Sequence, residues 1–192
     1  MTEKFSTRDL VLIAFFAALT SLLAYLVIPL PGGFPPVTGQ SLGAMLAGML
    51  LGSRKGAMSQ LVYLLLGAVG LPVFAGGTAG VGVIAGHTGG FIWGFVVGAY
   101  LTGKLTERKK QSTWLHLAGA AAVGGVLAVY LPGILQMARV LQITPAGALG
   151  AMLAYLPGDL LKVLIAAVLA RKIRPHLQRL SSLERKDETD VS

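Results

Sequence analysis

Apolar residues run along this chain in long blocks rather than in alternation, and Gly/Pro clusters or basic residues separate the blocks. Read against those breaks, the pattern predicts six helical spans, over residues 9–29, 40–52, 55–70, 89–105, 114–140 and 146–171. A helix needs about 20 apolar residues to cross a bilayer. The second and third blocks fall short, so they are expected to tilt, to carry interfacial ends or to shorten beside a cavity. Pro157-Gly158 offers a break in the last block, with 146–155 as a separate piece. Ser6-Thr7-Arg8-Asp9 has the spacing of a capping box and marks the first helix start. The first block superficially resembles a secretory signal, but it exceeds the about 7–15 apolar residues of one. No clean cleavage site follows it, so it is read as a retained span.

Composition agrees with the pattern. Of 192 residues, 54% are hydrophobic and 12% charged, with a mean hydropathy of +0.72, which is too apolar for a soluble domain of this size. The fold class is therefore an all-α integral membrane protein: a single six-helix membrane domain over 1–180, then a disordered cytoplasmic tail over 181–192. That tail carries Glu184-Arg185-Lys186-Asp187-Glu188 and no apolar periodicity. Cysteine is absent, which removes disulfides, thiolate nucleophiles and Cys-based metal sites.

The net charge of +8 is a topology signal rather than a nucleic-acid one. Every Lys and Arg except Arg139 and Lys162 falls before span one, between spans two and three, after span four or after span six. Those connections lie on one side of the membrane, and the positive-inside rule makes that side cytoplasmic, with both termini on it. The opposite connections, 29–39 and 70–80, are uncharged and rich in Gly, Pro and apolar residues. A water-exposed linker is normally polar, so these are expected to fold back as a lid or pocket wall.

Asp159 and Lys162 stand out because the stretch from Ala146 to Ala170 is otherwise apolar. A charge at the middle of a membrane helix costs about 2.5–3.5 kcal/mol on insertion scales, so such residues face a protein interior and find partners. Spaced i and i+3, they share one helical face. Pro157 suits a helix start and Gly158 permits close approach, so Asp159 should lie in a first turn with free amide groups nearby. The pair reads either as a packing device or as a binding site for a small polar molecule. Desolvation weakens the first reading, because a buried pair yields little net stability.

Three further patterns carry information. Glycines 82, 86, 90, 94 and 98 repeat at i,i+4 into span four, a spacing for close helix packing, with Gly82 and Gly86 assignable to the preceding loop. Gly86-His87-Thr88-Gly89-Gly90 joins a Gly-rich turn to a helix start that could bind polar ligand atoms. Ala14 and Ala18, continued by Ala17 and Ser21, make a small-residue patch that could pack internally or on another subunit; residue physics alone favours the internal contact. His87, His116 and His176 lack metal-ligand spacing, no phosphate-binding Gly-x-x-x-x-Gly-Lys motif occurs, and no catalytic set appears. No metal, no cofactor and no enzymatic activity are expected.

Taken in order, Gly70-Leu71-Pro72-Val73-Phe74-Ala75-Gly76-Gly77, Gly86-His87-Thr88-Gly89-Gly90-Phe91-Ile92-Trp93-Gly94-Phe95 and Leu156-Pro157-Gly158-Asp159-Leu160-Leu161-Lys162 resemble the BioY family. BioY proteins are the biotin-specific S-components, the substrate-binding membrane subunits of energy-coupling factor transporters. The resemblance implies a six-helix S-component fold with a loop-closed pocket near the outer side. It implies high-affinity biotin binding, with uptake powered by a transmembrane coupling subunit and two ATPase subunits. Asp159 would accept from the ureido N–H groups, and Lys162 would donate to the ureido oxygen or the carboxylate. Phe74, Phe91 and Tyr155 would form an apolar sleeve, with backbone donors from Gly76, Gly77, Thr88 and Gly89. Ala14 and Ala18 would dock on the coupling subunit. The chain departs from the family pattern at Ala75-Gly76-Gly77-Thr78, where members often carry an Asn. It departs again at His87-Thr88-Gly89-Gly90-Phe91, where they often read Pro-Thr-Gly-Gly-Tyr. Both changes remove side-chain donors. An S-component for another small vitamin and a non-transport membrane scaffold are the competing functions.

Overall fold

The structure, a computed structural model, describes residues 5–29, 36–108 and 112–190, with side chains through Leu177. Helix α1 (Thr7–Leu23) opens on the expected capping box. The Ser6 hydroxyl accepts from the Asp9 N–H and the Asp9 carboxylate accepts from the Ser6 N–H, each at 3.2 Å. Asp9 also pairs with Lys55.

Helix α1 stops at Leu23 rather than at the predicted 29. The chain turns and Val27–Ile28 (β1) pairs antiparallel with Val37–Thr38 (β2), placing Val27 opposite Thr38 and Ile28 opposite Val37. Two β-branched residues ahead of Pro29 favour extended backbone over helix, which the apolar pattern alone does not register. Residues 30–35, the middle of the predicted lid 29–39, lie outside the described residues.

Helices α2 (Gln40–Leu51) and α3 (Ser53–Ala68) join at Gly52, whose φ of +87° suits only glycine. The Glu107 carboxylate caps α3 by accepting from the Ser53 N–H at 2.7 Å. After a short 3-10 turn at Ala75–Gly77 come α4 (Val81–Ala85) and α5 (Gly89–Glu107). Helix α6 (Trp114–Ala121) passes through a π-helical stretch, Ala122–Leu127, into α7 (Ala128–Leu141). The chain then bends by 59° between α8 (Pro145–Met152) and α9 (Leu156–Asp190). This break just before Pro157 matches the two-piece reading of the last block. The α9 backbone stays helical to Asp190, where a disordered tail from Ser181 was expected; residues 191–192 lie outside the described residues. Beyond Pro175 there is no Gly or Pro, and Leu, Glu, Arg and Lys are good helix formers, so a charged stretch can extend a helix it could not nucleate.

Among the described residues, Trp114–Leu141 is long and apolar enough to cross a bilayer as one helix, and the bent α8–α9 pair qualifies as one broken span. With 12 residues, α2 reaches only about 18 Å at 1.5 Å per residue. It nevertheless sits at the centre, packed on α1, α3, α5 and α9. Neighbours therefore shield its short ends from lipid, the shortening beside a cavity that its length predicts.

Helix α5 is the other central element, and its glycines explain how. A Cβ at Gly90 would overlap the Pro132 carbonyl oxygen, one at Gly94 would meet the Val129 backbone at 2.8 Å, and one at Gly98 the Gly124 carbonyl at 2.6 Å. Gly90, Gly94 and Gly98 thus form the α5 seam against α7 and the π-helical stretch, while Gly82 and Gly86 belong to α4 and the turn after it. A Gly90→Ala substitution forces α5 away from backbone that cannot yield. It is expected to cost about 1–3 kcal/mol and to lower the melting temperature by about 5 °C, read by thermal unfolding in detergent.

On α1, Ala14 and Ala18 are exposed, whereas Ala17 is buried and its carbonyl accepts from the Ser21 hydroxyl at 2.9 Å. The internal contact favoured by residue physics is therefore made by Ala17, and the Ala14/Ala18 pair is left uncovered.

Candidate binding site

A cavity of about 500 Å³ is lined by β2, the N-terminal turns of α2, α5 and α9, residues between Phe74 and Thr88, Gly125 of the π-helical stretch with Val129 and Tyr130 at the start of α7, and the α8–α9 bend. That volume lies within the range of small-molecule sites. Local sequence builds its floor. Helix α9 begins at Leu156 with Pro157 in its first turn, where the missing N–H costs nothing, and Asp159 follows in that turn. Its own N–H is already spent on the Tyr155 carbonyl at 2.9 Å.

Asp159 is buried, 6% exposed as a residue, and its carboxylate is surrounded by donors. Lys162 Nζ donates to Oδ1 at 2.9 Å and Tyr130 OH donates to Oδ2 at 2.5 Å. Ser41 ties the pair together, accepting from Lys162 at 3.1 Å and lying 3.5 Å from Asp159 Oδ1. An ammonium carries three donors, of which Asp159 and Ser41 take two, so Lys162 keeps one for a ligand. A carboxylate offers about four acceptor positions, so Asp159 keeps room for a ligand N–H. The charges cancel within the site. Such an arrangement suits a neutral polar group that both donates and accepts, rather than a free cation or anion. Beside it, Gln40 donates to the Tyr63 hydroxyl and accepts from Thr38 at 2.7 Å.

Most of the rest of the wall is apolar. The Phe91 ring meets the Tyr130 ring edge-on at 6.4 Å between centroids. Phe74 stands edge-on to Tyr63 at 5.6 Å and fills the notch that Gly67 leaves open, which anchors the segment after α3. Tyr155, His87 and Thr88 also line the cavity.

Of the residues singled out in the sequence, Asp159, Lys162, Phe74, Phe91, Tyr155 and Thr88 come together around this one space. Gly76, Gly77 and Gly89 do not reach it. The Gly76 N–H donates to the Ala24 carbonyl at 3.0 Å and the Gly77 N–H to the Phe74 carbonyl at 2.8 Å, so the two backbone donors are already used. Their neighbours Ala75 and Thr78 line the cavity instead. Gly89 donates to the Gly86 carbonyl at 3.1 Å and is buried against Ile84, where any Cβ would overlap the carbonyl oxygen. These glycines shape the wall and do not present donors through it.

A family model described as the BioY family matches residues 1–179. The chain belongs to the BioY family. Relatives agree along almost its full length. The Rhizobium etli protein named biotin transporter BioY is 43% identical over 176 residues, covering 88% of this chain and 94% of its own. The Thermotoga maritima biotin transporter BioY is 34% identical over 168 residues, covering 87% and 96%, and the Lactococcus lactis one 30% over 179 residues, covering 91% and 94%. Among solved structures, the S-component for biotin from an ECF-type ABC transporter matches with a TM-score of 0.83 at 28% identity, over 91% of this chain and 95% of that one. The chain is thus a membrane protein of an S-component transport family and not an enzyme.

In this BioY-family chain the polar partners of the Asp159–Lys162 pair were not apparent from sequence. Tyr130 is a single hydroxyl in an apolar helix, and Gln40 and Ser41 stand at the very start of the short second span, where polar residues draw no notice. A signal did exist for Tyr130, whose hydroxyl lies well inside a predicted span and requires an internal partner.

Proposed function

We propose that this chain is the high-affinity biotin-binding subunit of an energy-coupling factor transporter, importing biotin with a transmembrane coupling subunit and two ATPase subunits. The observation that carries the reading is the Asp159–Lys162–Ser41–Tyr130 cluster. It is a charge-balanced site with a spare acceptor and a spare donor in the wall of an otherwise largely apolar cavity. A cyclic urea presents N–H donors and a carbonyl acceptor side by side, and biotin joins that group to an apolar ring and chain. Asp159 takes the ureido N–H, Lys162 donates to the ureido oxygen or the carboxylate, and Phe91, Tyr155 and Phe74 with its neighbours enclose the apolar part.

In the membrane, α1, α2, α3, α5, the α6–α7 rod and the bent α8–α9 pair make six passes. Both termini are cytoplasmic. The cavity is lined by loops and helix ends of the uncharged connections, opposite Arg54, Lys55, Lys104 and Arg108, so it opens outward. Ala14 and Ala18, exposed on α1, supply a smooth face on which the coupling subunit packs. The loaded subunit then reorients to present its cavity to the cytoplasm.

Thermal unfolding of the detergent-purified protein, stripped of ligand, tests this reading. Biotin at about 1,000 times its dissociation constant adds about 4 kcal/mol and is expected to raise the melting temperature by about 10 °C. Dethiobiotin and thiamin serve as comparators. No shift with biotin but a shift with another vitamin would reassign the substrate; no shift with any would favour a scaffold.

A further inference from the structure

The segment from Val81 to Thr88 supplies Gly82, Val83, Gly86, His87 and Thr88 to the cavity wall, yet none of its residues is buried. Its single element, α4, has five residues, too few to be stable alone. Val83 and Ile84 pack beside the core cluster around Tyr63 and Phe95, and two hydrogen-bonded attachments hold the segment at its ends. Upstream, the Gly80 N–H donates to the Gly67 carbonyl of α3 at 2.7 Å. Downstream, the half-buried Gln136 of α7 donates through Nε2 to the Ile84 and Gly86 carbonyls, each at 2.7 Å. An amide nitrogen has two hydrogens, so a single side chain reaches two carbonyls at the end of α4, of which that of Gly86 also accepts from the Gly89 N–H. Gly89 and Gly90 let this happen: a Cβ at Gly89 would lie 2.7 Å from Gln136 Nε2, and one at Gly90 would lie 2.9 Å from Gln136 Cβ.

We propose that Gln136 is a positioning residue for ligand retention: its amide clamps the 81–88 wall to α7 and so sets how long the cavity keeps its ligand. Without the clamp the segment keeps its tie to Gly67, the packing of Val83 and Ile84 and the Gly89-to-Gly86 hydrogen bond, but loses its side-chain link to α7, and Gly80, at φ +92° with open space around it, is a point where its backbone can turn. Among the described residues Gln136 hydrogen-bonds to Ile84 and Gly86 and not to the Asp159 cluster, so its effect falls on dissociation rather than on the polar contacts themselves. The retention part rests on the reading that the cavity holds biotin.

The test compares Gln136→Met, which keeps length but has no donor, with Gln136→Lys, which keeps donors but packs worse. Hydrogen exchange on the ligand-free protein and biotin dissociation by chase are both measured. For Gln136→Met, amides in 81–88 are expected to exchange about 10-fold faster and biotin to leave about 10-fold faster, with Gln136→Lys closer to the wild type in both. The proposal is overturned if Gln136→Met leaves either quantity unchanged, if exchange rises equally across α5 and α7, or if Gln136→Lys is the more disrupted variant. The last two results mark Gln136 as ordinary packing. Should the wild type bind no biotin, the functional reading fails by itself, and exchange at 81–88 still decides whether Gln136 clamps the wall.

Discussion

Asp159→Asn is expected to weaken biotin binding at least about 100-fold while the purified protein stays folded. Hydrogen bonds to a charged group are worth about 1.5–3 kcal/mol each. The substitution also strands Lys162 as an uncompensated cation beside a neutral ligand group, and about 2.8 kcal/mol already amounts to 100-fold. Lys162→Ala is expected to weaken binding too, but less, because Tyr130 and Ser41 still face the remaining carboxylate. The fold survives both changes, since α9 is held by the buried Val163, Ala166, Ala167 and Ala170 rather than by the pair. Titration calorimetry on each variant, with melting curves as the control for folding, checks the order. Normal binding by both would move the site elsewhere.

The second large effect belongs to α1. Ala14→Trp and Ala18→Trp each place a large ring on an exposed, smooth patch away from the cavity lining, so biotin affinity in detergent should stay within about 2-fold of the wild type. Uptake of labelled biotin by cells carrying the whole transporter should instead fall at least about 10-fold, because close helix approach between subunits depends on small side chains. Retained uptake would show that the coupling subunit docks on another face.

Much of this architecture could be read from the apolar blocks, because the breaks at Gly52 and ahead of Pro157 are written in residues that govern backbone conformation directly. The Asp159–Lys162 ion pair was legible for a similar reason: at i and i+3 on an apolar helix, the two charges have each other as nearest partners. What escaped is tertiary in origin. The β1–β2 ribbon needs Val27 opposite Thr38, an encounter no local pattern specifies. Tyr130 meets Asp159 only because α7 runs past the start of α9. Gly76 and Gly77 looked like free donors because a Gly-rich turn in isolation has unpaired amides, whereas here Ala24 and Phe74 accept from them. The resemblance named the right family, but only the packing separates residues that face the cavity from those that shape it.

The central claim, that the Asp159 cluster and its apolar cavity hold biotin, is tested most directly by calorimetric titration of biotin into the ligand-stripped wild-type protein. The account predicts tight binding at one biotin per chain, selective over thiamin, and lost in Asp159→Asn. Failure of a demonstrably folded sample to bind biotin would contradict it.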